Sequence, residues 1–138
     1  VYRVTGELNE LHDQCETADG AEKTVSASAK RLARMIGCDY DENELSRWEA
    51  VAFNLRSQQL SRIQHACEQQ MSRINLRKDA PLVGAGVGRF LVKDMASNLG
   101  RAYIDYSDLF PSAITQDCVN AVADCAAAVA VAALAVNN

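Results

Sequence analysis

From Asp41 to Pro81 the chain has no internal glycine or proline, and this uninterrupted stretch constrains the fold more than any other feature. Opened by Asp41-x-x-Glu44 in the pattern of a capping box, it predicts one long helix. Leu45, Trp48, Ala52, Leu55, Ile63, Cys67, Met71 and Ile74 recur every three or four residues, while Arg56, Ser57, Arg62, Glu68 and Arg73 fall opposite them. The helix therefore has an apolar stripe to bury, with Trp48 expected in a core or interface. Unbroken, it would approach about 50 Å at ~1.5 Å per residue, and Gln58 and Gln59 mark a point where it can kink. The stripe is also a surface through which two copies can pair as a homodimer.

Shorter elements flank it. Residues 1–23 are polar, with turn chemistry at Asp19-Gly20, and are expected to be a connecting segment. A helix from Val25 to Ile36 follows, with Thr24 as its side-chain cap and Gly37 ending it. The apolar run Ala80–Ala85 predicts a strand, Gly84–Gly88 a turn, and Val87, Leu91, Met95 and Leu99 a helix stopped by Gly100. Arg101–Tyr106 predicts a second strand, parallel to the first if the intervening helix is a crossover. Ser107–Pro111 is expected to be a loop or short helix, and Thr115–Val136 a small-residue helix packed on the sheet. This is a helix-rich α/β pattern in a single partial domain, residues 1–138, divided as 1–23, 24–79 and 80–138. Two strands are too few for an independent sheet. The opening Val1-Tyr2-Arg3-Val4-Thr5-Gly6 lacks an initiating Met and reads like the middle of an element, so further sheet is expected upstream.

Composition excludes several roles. With 138 residues, 49% hydrophobic, the chain has material for one sizeable core. A net charge of −4 with interspersed signs provides no basic stripe for nucleic acid. Cys125–Val136 is about a dozen apolar residues against the roughly 20 that span a bilayer, which predicts a buried helix and no membrane anchor. The five cysteines, Cys15, Cys38, Cys67, Cys118 and Cys125, are odd in number and contain no Cys-x-x-Cys. They read as reduced thiols in a cytoplasmic protein, with Cys118 and Cys125 as small buried side chains. His12 and His65 read as surface residues, and Lys30, Arg31 and Arg34 as a solvated helix face. No metal cluster, P-loop, zincin helix or nucleophile elbow is present in the sequence, and the catalytic residues are not identifiable.

The local pattern that points to chemistry is Gly84-Ala85-Gly86-Val87-Gly88-Arg89, where a strand end, closely spaced glycines and a helix start coincide. Glycines let a ligand approach the backbone, and the helix start offers N–H groups and partial positive charge to a phosphate. Tight packing alone is the competing explanation. A Rossmann-like dinucleotide module is a further alternative: the third glycine comes one residue early, as G-x-G-x-G, yet Asp105 stands about 20 positions on. A helical self-association domain is the third.

Several segments together resemble the hydantoinase/oxoprolinase-like proteins linked to tetrahydromethanopterin and methanofuran one-carbon metabolism. They are Val1-Tyr2-Arg3-Val4-Thr5-Gly6-Glu7-Leu8, Thr17-Ala18-Asp19-Gly20 with Thr24, Ser28–Gly37, and Val83–Phe90 with Leu99-Gly100-Arg101. The resemblance implies an ATPase of the actin, sugar-kinase and heat-shock-protein type, in which two lobes close over nucleotide and this chain supplies most of the C-terminal one. Gly84, Gly86 and Gly88 would then belong to the turn that contacts adenosine and phosphate, with ATP or a diphosphate substrate accompanied by magnesium. The catalytic residues are then expected in the missing N-terminal lobe. Archaeal relatives are linked to condensing a furan-methyl diphosphate with a tyramine phenol, which makes such a synthase the expected activity. Thr17, Asp19 and Gly20 match a family motif, either a loop for substrate or phosphate or a structural turn.

Overall fold

The computed structural model describes residues 1–8, 10–13, 15–74, 76–110 and 119–136. They form a mixed α/β, helix-rich protein with helices α1 (Val25–Met35), α2 (Leu45–Arg73), α3 (Arg89–Asn98), α4 (Val119–Asp124) and α5 (Ala126–Val136). Between them lie strands β1 (Leu82–Gly84) and β2 (Tyr103–Asp105). The chain divides into two compact units, residues 1–67 and 68–138. The division falls inside α2 and not near residue 80, where the sequence pattern changes.

In the first unit, α1 starts and stops as its sequence dictates. The Thr24 side chain accepts from the Ala27 N–H, answering one of the donors left open at a helix start. At the other end Gly37 has φ +73, and the N–H groups of Gly37 and Cys38 return to the carbonyls of Arg34 and Ala33. That is a Schellman closure, which requires a left-handed residue where glycine stands. Asp41 accepts from the Asn43 N–H and opens a single 3-10 turn, Glu42–Glu44, that leads into α2.

The core beneath these helices joins Val4, Ala29, Leu32, Ala33, Trp48 and Ala52. Val4 brings the first segment into that core, so residues 1–23 do more than connect. Arg56 and Glu7 add a half-buried ion pair from α2 to the same segment, with Arg56 Nε 2.6 Å from Glu7 Oε1. The signal was hard to read because Val1 and Val4, which both pack on that core, are two short apolar points in a segment otherwise rich in polar and turn residues. α2 itself is 29 residues, about 43 Å at ~1.5 Å per residue, and is helical through Gln58-Gln59. Of the predicted stripe Trp48 and Ala52 are buried, while Leu55, Ile63 and, just past the helix end, Ile74 are exposed; Leu60, outside that stripe, is buried as well.

In the second unit β1 and β2 pair in parallel, with Leu82 opposite Tyr103, Val83 opposite Ile104 and Gly84 opposite Asp105. Each has three residues, shorter than the sequence run suggests, and α3 is the crossover between them. Leu91, Met95 and Ala96 are the buried face of α3.

The C-terminal expectation requires correction. The described part of the predicted helix is broken at Cys125 into α4 and α5, and no side chain of α5 is buried. Val131, Leu134 and Val136 are each more than 60% exposed. Eleven consecutive Ala, Val and Leu residues define no preferred face, so hydrophobicity alone does not direct the helix onto a sheet of two short strands. Cys125 is exposed, contrary to the expected buried thiol, and Cys118 lies outside the described residues.

Candidate functional site

The glycine turn lies at the C-terminal ends of two parallel strands, the edge at which open α/β sheets bind ligands. Its three glycines have different physical reasons. At Gly84 a Cβ would lie 2.5 Å from the Tyr103 hydroxyl and 2.6 Å from its ring, so the absent side chain admits the tyrosine. Gly86 has φ +79, which an L-residue adopts only with strain. Gly88 precedes α3 at φ −85, and a Cβ there would meet nothing within 4 Å. The backbone demands glycine at Gly86, a Cβ at Gly84 would displace the Tyr103 ring, and neither constraint applies at Gly88.

Arg89, the first residue of α3, turns its guanidinium toward carboxylates. Its Nε donates to Asp105 Oδ2 at 2.9 Å, and Nη1 donates to Asp124 Oδ1 and to the Gly86 carbonyl at 3.3 Å. Burial opposes the charge of Arg89, but the hydrogen bond and field of Asp124 together with the charge of Asp105 outweigh it and raise its pKa. Asp105 is saturated. Oδ1 accepts from the Ser107 N–H and hydroxyl at 3.0 and 2.7 Å, and Oδ2 from Arg89 and the Tyr103 hydroxyl. Burial pushes the Asp105 carboxyl up, yet the Ser107 hydrogen bonds and the Arg89 charge prevail and hold it below the usual carboxylate value.

Tyr103 responds oppositely. Burial, then the negative charge of Asp105 and the hydrogen bond to it, push the phenol up from 10.0 to about 12. A folded value above the unfolded one means that this stabilisation is complete below about pH 10 and disappears as pH rises toward 12. Tyr103→Phe is therefore expected to flatten the alkaline fall in stability across that window, read from urea unfolding at about pH 9 and 11.5.

Ala85 and Val87 fill the turn between the glycines and are exposed. Closing it from the other side, the Gly86 N–H donates to the Ala123 carbonyl at 2.7 Å. Ser107, Tyr103 and Asp124 were not singled out by the sequence. Asp124 carried the clearest available signal, since it is the one charged residue between Cys118 and the C-terminus. A carboxylate that folds into such apolar surroundings needs a partner.

The second predicted loop belongs to the first unit. Thr17 Oγ1 donates to the Ala21 carbonyl at 2.6 Å, and the Gly20 N–H to the Thr17 carbonyl at 3.0 Å. Asp19 accepts from the Ala21 N–H and from both arginines on α1, Arg31 at 3.1 Å and Arg34 at 3.0 Å. The expected solvated basic face is thus partly an anchor for this loop. Burial works against the Asp19 charge, but the Ala21 N–H and Arg31 dominate and lower its pKa. A shallow cavity of about 360 Å³ runs beside Glu16, Thr17, Gly20, Ala21, Glu22 and Lys23. With both oxygens of Asp19 engaged, the geometry is that of a braced turn.

Among the described residues, no group of three His, Cys, Asp or Glu side chains is arranged to hold a metal ion, and no helix is long and apolar enough to cross a membrane. No protein-family model matches the chain, and neither a curated protein nor a solved structure matches it.

Proposed function

We propose that the second unit binds the phosphate portion of ATP or of a diphosphate substrate at the glycine turn. In this reading it is the C-terminal lobe of a two-lobed, actin-like cytoplasmic enzyme of the hydantoinase/oxoprolinase-like kind, whose substrate is a furan-methyl diphosphate. The family assignment and that substrate rest on the sequence segments alone.

The observation that carries the binding proposal is Gly88. It is a glycine with ordinary backbone and open space where a side chain would go, placed at the start of α3, the helix end that carries partial positive charge. A site for phosphate accounts for a missing Cβ that packing does not require. Among the described residues no carboxylates are grouped to cage magnesium, which would arrive with the phosphates and partly neutralise them. This chain's part is to bind and orient them.

The dinucleotide alternative is weaker, because Asp105 would have to accept a ribose hydroxyl. All four of its acceptor positions are already answered by Ser107, Tyr103 and Arg89. Self-association remains a second reading, favoured by the exposed α5 and by Phe53, Leu55 and Ile63 on α2.

Gly88→Ala tests the site directly. A methyl group in open space at a helix start is expected to change stability by less than about 1 kcal/mol, while weakening magnesium-ATP or pyrophosphate binding about tenfold in calorimetric titration, through obstruction of close phosphate approach. Equal affinities for the two chains would remove Gly88 from the site.

A further inference from the structure

The donors that make the glycine turn attractive to an anion are already answered, and by the chain itself. The Gly86 N–H, held outward by a left-handed backbone, meets the Ala123 carbonyl at 2.7 Å. One residue on, the Asp124 carboxylate meets the Arg89 guanidinium. A carbonyl oxygen and a carboxylate on adjacent residues thus occupy the positions at which two oxygens of a phosphate chain would find a backbone donor and a cation.

We propose that the Ala123–Asp124 end of α4 is an internal occupant of the glycine turn, an autoinhibitory contact that an incoming phosphate must displace. The inference rests on the phosphate-binding role proposed above and adds its regulation.

Arg89 does not need Asp124 for neutralisation, because Asp105 already supplies a carboxylate from β2. The second carboxylate makes the cluster net negative, a poor arrangement for capturing an anion until Asp124 leaves. The segment that carries it is short. α4 has six residues, packs on the 3-10 turn Tyr106–Leu109, and continues into α5, none of whose side chains is buried. Among its described side chains Ala123 is the buried one. A single six-residue helix running into an unburied one opens at lower cost than the βαβ unit beside it. Ligand affinity is reduced by the fraction of molecules in which the segment is docked, so weakening the contact raises affinity by as much as that fraction allows.

The test uses the full chain and Asp124→Asn, each titrated calorimetrically with pyrophosphate and with magnesium-ATP. Asparagine keeps the side-chain volume and removes the charge, and is expected to bind about tenfold more tightly. Measurable binding by the variant alone supports the contact equally well. If the unmodified chain binds and the variant binds no better, the contact is only a structural staple and the inference falls while the site stands. If neither chain binds either ligand, the site itself fails and the inference with it. A measurement without substitution guards against misfolding of the variant: pyrophosphate should accelerate hydrogen exchange at the amides of Val122–Asp124. Unchanged or slower exchange in a ligand-bound chain would also overturn it.

Discussion

Trp48→Ala is expected to destabilise the first unit by about 3–5 kcal/mol, towards the lower end of that range. Trp48 is the large side chain most completely enclosed, at 1% exposure, and it stands where α2 meets Val4 and the buried face of α1. The Tyr40 ring lies 6.4 Å away at a 46° tilt, and the Arg47 guanidinium sits 5.7 Å from the indole centre. Truncation removes all these contacts, and a rigid core closes only partly over the void. One term works the other way. The indole Nε1 has no hydrogen-bond partner within the described structure, so its loss relieves a buried unsatisfied donor. Because the chain has one tryptophan, unfolding of the variant is best followed by circular dichroism in urea. A change below about 1 kcal/mol would mean that Trp48 does not organise this core.

The second large effect is expected at Gly86. Gly86→Val places a β-branched residue at φ +79, a conformation that costs roughly 1–3 kcal/mol and is resisted most by branched side chains. The turn would relax toward an ordinary backbone, moving both the N–H that meets Ala123 and the carbonyl that receives Arg89. Nucleotide and pyrophosphate binding should disappear while helical content stays near the unmodified value. Gly86→Asn should retain more of both, since asparagine tolerates left-handed geometry better than other side chains do. Undiminished binding by Gly86→Val would place the ligand elsewhere.

Different parts of this protein were legible to different degrees, for physical reasons. α1 was readable because Thr24 and Gly37 act on their immediate neighbours, and a cap is a local event. The strand–turn–helix–strand order at 80–106 was equally plain, since glycines and apolar periodicity bracket it on both sides. Long-range pairing was harder to anticipate. Arg89 and Asp124 are 35 residues apart, and Glu7 and Arg56 are 49 apart. Nothing in their local sequence states that they meet. Asp105 stood out in the sequence only as the acidic residue of the dinucleotide alternative, whereas its carboxylate is consumed by Ser107, Tyr103 and Arg89, an outcome set by how β2 leads into the next turn. α5 misled for a different reason: its hydrophobicity is high but has no direction, and burial requires a direction.

The contact between Gly84 and Tyr103 also limits how this site can change over generations. A Cβ at position 84 would fall 2.5 Å from the Tyr103 hydroxyl, so a side chain there fits only once the ring has moved aside or been replaced by something smaller. A lineage that acquires alanine at 84 before shrinking residue 103 passes through a strained intermediate. The opposite order leaves only a small gap beside the strand, and is the open mutational route.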